Sequence, residues 1–206
     1  MKVEVVTYTP DAERLIERAM RICHGGDMSE DKSVNKTFIQ SVIKLGHESV
    51  IEHASVTFKI SDVSRSLTHQ LVRHRLASYT QESQRYVKKL DFDYVTPDSI
   101  IDKPELCEKY DDLMSKINEL YSLFIQAGIK REDARYMLPN ACTTSIWVTM
   151  NFRELRSFFK LRCDSHAQWE IRDMAKTMLI ECYNRFPIIF EDLYNVYILN
   201  QFNIEK

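Results

Sequence analysis

Only four glycines, at positions 25, 26, 46 and 128, interrupt the 206 residues. Each falls where a helical pattern stops, so glycine here marks helix ends. The same scarcity removes two phosphate-binding designs, because neither G-x-G-x-x-G nor G-x-x-x-x-G-K-[ST] can be assembled from these positions. Any phosphate bound by this chain must be held mainly by side chains, and the planar fork of arginine suits that task.

The apolar spacing between those stops predicts the elements. KVEVVTY (2–8) reads as a strand. Thr9 and Pro10 open a helix with Leu15, Ile16, Ala19, Met20 and Cys23 inward, ended by Gly25-Gly26. A second helix is expected over 33–45, with Val34, Phe38, Val42 and Leu45 inward and Gly46 after its end. SVTFKIS (55–61) alternates, placing Val56, Phe58 and Ile60 on one face. Val63, Leu67 and Leu71 recur every four residues and predict a helix over 62–74. The longest helix spans 102–127, with Leu106, Tyr110, Leu113, Met114, Ile117, Leu120, Tyr121 and Phe124 as its buried stripe. A short helix over 131–138, a strand over 143–150, and helices over 152–161, 165–185 and from Pro187 complete the chain. Asn151-x-x-Glu154 and Ser165-x-x-Gln168 are capping-box patterns for two of these. The result is an α+β chain rich in helix. No repeat or linker interrupts it, so one domain over 1–206 is expected.

A net charge of −2 excludes a surface that attracts nucleic acid or anionic lipid as a whole, so any positive field must be local. Cysteines at 23, 107, 142, 163 and 182 form no C-x-x-C, and reduced thiols in a cytoplasmic protein are expected. No membrane span is expected, since no apolar run approaches ~18 residues.

That local field lies in RHRLASYTQESQRY, residues 73–86. Arg73, His74 and Arg75 are consecutive and would point about 100° apart on a helix; at a helix end they can diverge around a ligand. Ser83 and Arg85 share a side if their segment is extended. Read as a loop, the stretch offers guanidinium groups, a hydroxyl and several amides to a common cleft, with almost no apolar residue after Ala77.

R-H-R, seven residues, then S-x-R closely resembles the signature of the flavin-dependent thymidylate synthases. GHESVIEH (46–53) and LRCDSHAQWEIR (161–172) are similar to two further segments of that family. The resemblance runs from about Gly46 to the C-terminus. It implies the thymidylate synthase-complementing protein fold: a helix-rich single domain with a central, largely antiparallel sheet flanked by long helices. It also implies conversion of dUMP to dTMP, with 5,10-methylenetetrahydrofolate as carbon donor, NADPH as reductant and bound FAD, in a homotetramer with shared active sites. Phosphate-bearing ligands would explain the crowded arginines, whose mutual repulsion becomes charge-assisted hydrogen bonding once anions arrive.

Matching motif to motif, the resemblance implies that Gln70, Gln81, Glu82, Ser83, Gln84, Arg85, Arg135 and Arg162 surround dUMP. It places Ser49, Glu52, Arg73, His74, Arg75, Asn151, Arg153, Ser157 and His166 at FAD, and His47 near flavin and folate. Arg162 is the group expected to stabilise negative charge on the uracil ring. Ser83 is expected to bind or polarise the nucleotide, since a serine nucleophile needs an adjacent base. The chain departs from the family in reading Thr80-Gln81 where many members read Asn-Glu, and in carrying Ser157 where an asparagine is often found. Either a carboxylate or an amide carbonyl can accept uracil N3–H.

Other residues read as structural. Arg156, Arg172 and Lys176 fit exposed helix faces, His24 and His69 fit surface or internally satisfied histidines, and Trp147 and Trp169 fit the core. A metal site at His47, His53, His69 and His74 is disfavoured by its spacing and by arginines that would repel a cation. Single-strand nucleic-acid binding over Tyr79 and Tyr86 is disfavoured by the net charge.

Overall fold

The computed structural model describes residues 1–23, 25–26 and 33–200; His24 lies outside the described residues. The elements are β1 (Lys2–Tyr8), α1 (Ala12–Ile22), α2 (Lys36–Lys44), β2 (Ser55–Ser64), α3 (Arg65–Leu71), β3 (Ala77–Gln81), α4 (Asp98–Ile101), α5 (Pro104–Gln126), α6 (Arg131–Ala134), β4 (Thr143–Asn151), α7 (Phe152–Arg162), α8 (Trp169–Arg185) and α9 (Pro187–Tyr194). A 3₁₀ turn occupies Glu48–His53. The strands form one antiparallel sheet in the order β1-β2-β4-β3, so the fold is α+β and rich in helix. The chain gathers into two compact units. One comprises Met1–Lys2, Ile60–Val72 and Thr80–Ile146; the other comprises the described residues within Val3–Lys59, Arg73–Tyr79 and Trp147–Lys206.

In the first unit, α3 starts later and stops earlier than its periodicity suggests. The strand continues through Val63 to Ser64, whose Oγ accepts from Leu67 N at 3.0 Å and starts the helix there. Val63, Leu67 and Leu71 are all buried, as the spacing predicts. The helix ends at Leu71, leaving Arg73, His74 and Arg75 beyond it. β3, like α4, is absent from the sequence reading: it is an edge strand, where a loop was expected. On α5 only Met114 and Tyr121 of the expected stripe are buried; Leu106, Leu113, Leu120 and Phe124 are exposed. Met114 packs with Phe92 and Cys142, and Tyr94, Tyr110, Ile117 and Leu138 surround them.

In the second unit, Thr9 does not cap α1; its Oγ1 accepts from Ser55 N at 3.0 Å, and Asp11 turns the chain with φ 47°. α2 begins after Asn35, whose Oδ1 accepts from Phe38 N at 2.9 Å. Its buried residues are Ile39 and Ile43, one position on from the expected Phe38 and Val42, and Leu45 is exposed. Phe38 instead lies under the Arg21 guanidinium, 5.0 Å from the ring centroid. α7 begins as expected, with Asn151 Oδ1 accepting from Glu154 N at 2.8 Å. α8 begins later than expected because Gln168, not Ser165, is its cap, accepting from Glu170 N and Ile171 N at 3.1 and 3.2 Å.

Two expectations about single side chains are overturned here. Arg156 is not on an exposed face. It is 2% exposed and donates to Asp192 Oδ1 at 2.8 Å, Asp192 Oδ2 at 2.6 Å and Ile189 O. Trp147 is not in the core, because alternation along β4 buries Ile146, Val148 and Met150 and turns Trp147 outward.

Candidate functional site

Within the second unit the basic tripeptide does diverge. Arg73 and Arg75 are exposed, and among the described residues their side chains make no hydrogen bond or ion pair. His74, between them, turns inward. Its Nδ1 is 3.2 Å from Glu154 Oε1, its Nε2 accepts from Arg162 Nε at 3.1 Å, and Tyr79 OH donates to its carbonyl at 2.8 Å. Burial and then the Arg162 guanidinium hold the His74 pKa below its usual value, with Glu154 pulling the other way. The imidazole is therefore neutral near pH 7. Burial also lowers the pKa of Arg162. Burial, then the Glu154 charge, raises that of Tyr79, so its phenol stays a donor.

Of the remaining residues expected at the flavin, Arg153 and Glu52 are paired, Nη1 to Oε1 at 2.5 Å, with Glu48 Oε2 4.0 Å from Arg153 Nε. Asn151 caps α7 with its Oδ1. His166 Nδ1 sits 2.7 Å from Asp164 Oδ1, and the ring is almost wholly exposed. His47, Ser49 and Ser157 are exposed and bond to no other described side chain.

In the first unit, Gln81 closes β3 and donates to Thr68 Oγ1 at 2.9 Å. Glu82 N donates to Ser145 O at 2.9 Å, and Glu82 Oε1 lies 2.5 Å from Lys89 Nζ, an ion contact not aligned as a hydrogen bond. The chain then turns, so Ser83 and Arg85 do not sit on an extended segment as the sequence suggested. Ser83 O accepts from Tyr86 N and Val87 N, and Ser83 Oγ accepts from Arg85 N at 3.3 Å. The hydroxyl thus organises the turn, a familiar habit of serine. Gln84 is buried, and Gln70 is half-buried on α3.

Glu132 brings together two of the three arginines expected at the nucleotide, Arg85 and Arg135. Its Oε2 accepts from Arg85 Nη2 and its carbonyl from Arg135 Nε, both at 3.1 Å. Beside it an open groove of about 460 Å³ is lined in part by Arg85, Tyr86, Lys88, Lys130, Arg131 and Glu132. Four cations against one carboxylate make this groove attractive to anions.

Sequence reasoning did not find Glu154, Glu132, Lys89 or Thr68. Only Glu154 left a signal: as the fourth residue of a capping box it should turn back to its own helix start, and it goes to His74 instead.

Two exposed arginines with no side-chain partner among the described residues thus flank a neutral histidine held by a cation and a carboxylate, in a helix-rich α+β chain. The chain belongs to the thymidylate synthase complementing protein family, whose pattern matches residues 4–188. Among curated relatives it is similar to the flavin-dependent thymidylate synthase of Clostridium tetani, 44% identical with 93% of this chain and 86% of that one covered. The enzymes of the same name from Geobacter sulfurreducens and Pyrococcus furiosus are each 42% identical; they cover 93% and 91% of this chain and 86% and 81% of their own.

Proposed function

We propose that this chain is a flavin-dependent thymidylate synthase, converting dUMP to dTMP with 5,10-methylenetetrahydrofolate as carbon donor and NADPH as reductant. The observation that carries the reading is the pairing of family membership over 4–188 with the exposure of Arg73 and Arg75, whose guanidinium groups have no partner among the described residues. Like charges held side by side in one short segment fit an anionic ligand that neutralises them.

The donor set suits FAD: Arg73 and Arg75 offer their forks to its diphosphate, with Ser49, Glu52, His74, Asn151, Arg153, Ser157 and His166 as further contacts. When bound, the flavin supplies hydride chemistry. The protein's own part is to bind and polarise. Gln70, Gln81, Gln84, Arg85 and Arg135 hold dUMP, and backbone groups of Glu82 and Ser83 assist, since the Glu82 carboxylate is held at Lys89. Among the described residues no base bonds to the Ser83 hydroxyl, and Ser83 acts as a binding group. Arg162 stabilises charge developing on the uracil ring, and His47 lies at the folate side. One domain, a homotetramer with shared sites and a cytoplasmic location complete the proposal. Among the described residues, no helix is long and apolar enough to cross a membrane.

The test is direct. Purified protein should be yellow, should bleach on addition of NADPH with dUMP, and should form dTMP when methylenetetrahydrofolate is added. Arg73→Ala should lose flavin, whereas Arg162→Ala should keep the colour and lose dUMP affinity. A colourless protein that FAD cannot reconstitute, and that forms no dTMP, overturns the reading.

A further inference from the structure

Glu154, Phe158 and Arg162 stand at i, i+4 and i+8 of α7, so their side chains lie along one face of that helix. The His74 ring lies along this row. It meets Glu154 Oε1 at 3.2 Å, the edge of Phe158 with centroids 4.9 Å apart, and Arg162 Nε at 3.1 Å. Both nitrogens of the ring are thus engaged by one helix, and the side chain of His74 is only 9% exposed.

Chemistry fixes the direction of the two polar contacts. Arginine Nε–H can only donate, so His74 Nε2 must be the acceptor. The single proton of the neutral imidazole then sits on Nδ1, aimed at the Glu154 carboxylate. Among the described residues, the charged and titratable groups facing His74 are Glu154 and Arg162 from α7 and Tyr79 from β3; Tyr79 donates to the His74 carbonyl.

We propose that Glu154 is a positioning residue for the reaction inferred above: it keeps the His74 proton on Nδ1, so that Nε2 anchors Arg162 Nε and sets the plane of the guanidinium. The proposal rests on reading Arg162 as the group that faces the nucleotide. Nε and both Nη atoms share one plane, so fixing Nε restricts where the other donors point. With the proton on Nε2 instead, two donors would meet and the anchor would be lost. Glu154 can take this part because its own backbone N–H, not its carboxylate, satisfies the Asn151 cap.

Nitrogen-15 NMR of the histidines, with His74 assigned by His74→Gln, reads the tautomer without reference to activity. Titration with dUMP reads the consequence. Wild type should show the Nδ1–H form at pH 7.5. Glu154→Gln, which retains an acceptor oxygen, should hold dUMP affinity within about twofold. Glu154→Leu should lose the tautomer preference and bind dUMP about tenfold more weakly, while melting within a few degrees of wild type. An Nε2–H tautomer in wild type overturns the proposal even if Glu154→Leu fails to fold. So does a folded Glu154→Leu that binds dUMP as well as wild type. If wild type neither binds dUMP nor forms dTMP, the thymidylate reading fails instead, and the tautomer measurement shows which of the two has gone.

Discussion

Gln81 Nε2 donates to Thr68 Oγ1 at 2.9 Å while Thr68 gives its own hydroxyl proton to Arg65 O at 3.0 Å. With that proton in use, Thr68 can only accept from Gln81, so the amide is oriented with nitrogen toward α3 and Oε1 left as an acceptor. Among the described residues Oε1 has no partner. Thr68→Val preserves shape and removes the acceptor, leaving the amide only the longer 3.5 Å approach to Thr144. We expect a loss of about 1 kcal/mol in urea unfolding, the cost of a poorly satisfied, half-buried donor, and weaker dUMP binding. Thr144→Val should cost less; the reverse order would show that Thr144 is the real acceptor.

The pair between Arg156 and Asp192 is asymmetric, with the guanidinium 3% exposed and the carboxylate 59%. Burial alone would push the Asp192 pKa up, yet Arg156, joined by the Leu193 N–H and Lys160, holds the carboxyl below its usual range. Removing the acid leaves a buried cation with the Ile189 carbonyl and with Glu48 3.6 Å from Nε. Asp192→Ala should therefore cost about 2 kcal/mol, less than the ~3–5 of a wholly buried pair. Glu191→Ala, which breaks contacts to the exposed Lys36 and to Gln40, should cost about 1 kcal/mol or less. The Asp192 contribution is present above its unfolded pKa of about 3.9 and is lost as pH falls through the lower folded value. Acid unfolding of Asp192→Asn should accordingly converge on that of wild type at the lowest pH.

How legible this was depended on whether a signal stayed within one element. Val56, Phe58 and Ile60 alternate, and Val63, Leu67 and Leu71 repeat, because each faces a single buried side; all six are buried. ASYTQ has no such pattern, and its strand state comes from its neighbour, with Glu82 N reaching Ser145 O at 2.9 Å. Periodicity misplaced the inward face of α2 because Phe38 has a cationic partner on α1. It placed Arg156 outside because Asp192 lies 36 residues away. The site shows the same division. Two family-like segments name His74 and Arg162, whereas the carboxylate that links them through the ring is 80 residues from His74 and reads in the sequence only as a capping-box residue.

Acid should act on the site through His74. Burial, then Arg162, depresses its folded pKa below the unfolded value of about 6.5. Above that pH both states are neutral and the contribution is complete. It declines as pH falls from about 6.5 through the depressed folded pKa. Protonation there places a second cation beside Arg162 and removes its acceptor. Affinity for dUMP should fall as pH drops through that depressed folded pKa in wild type. In His74→Gln, which cannot titrate, the step should be absent; a step that persists would assign it to another group.

Lys89 holds the start of the turn that carries Ser83 and Arg85. Its Nζ lies 2.5 Å from Glu82 Oε1 and 3.3 Å from Thr143 O, with the lysine side chain 14% and the glutamate 28% exposed. The contact therefore operates in a partly dry setting, where it is worth more than a surface pair. It fixes the residue just before Ser83, whose Oγ and carbonyl organise the turn carrying Arg85. Lys89→Met keeps the aliphatic stem and removes the charge, and Glu82→Gln removes the other. Each alone should destabilise by about 1–2 kcal/mol, and the double variant by less than their sum, with a coupling near 1 kcal/mol. Because Glu82 is turned toward lysine, Glu82→Gln should weaken dUMP binding only about as much as Lys89→Met does. If Glu82→Gln alone abolished dUMP binding while Lys89→Met left it intact, the carboxylate would be a direct ligand and not an anchor.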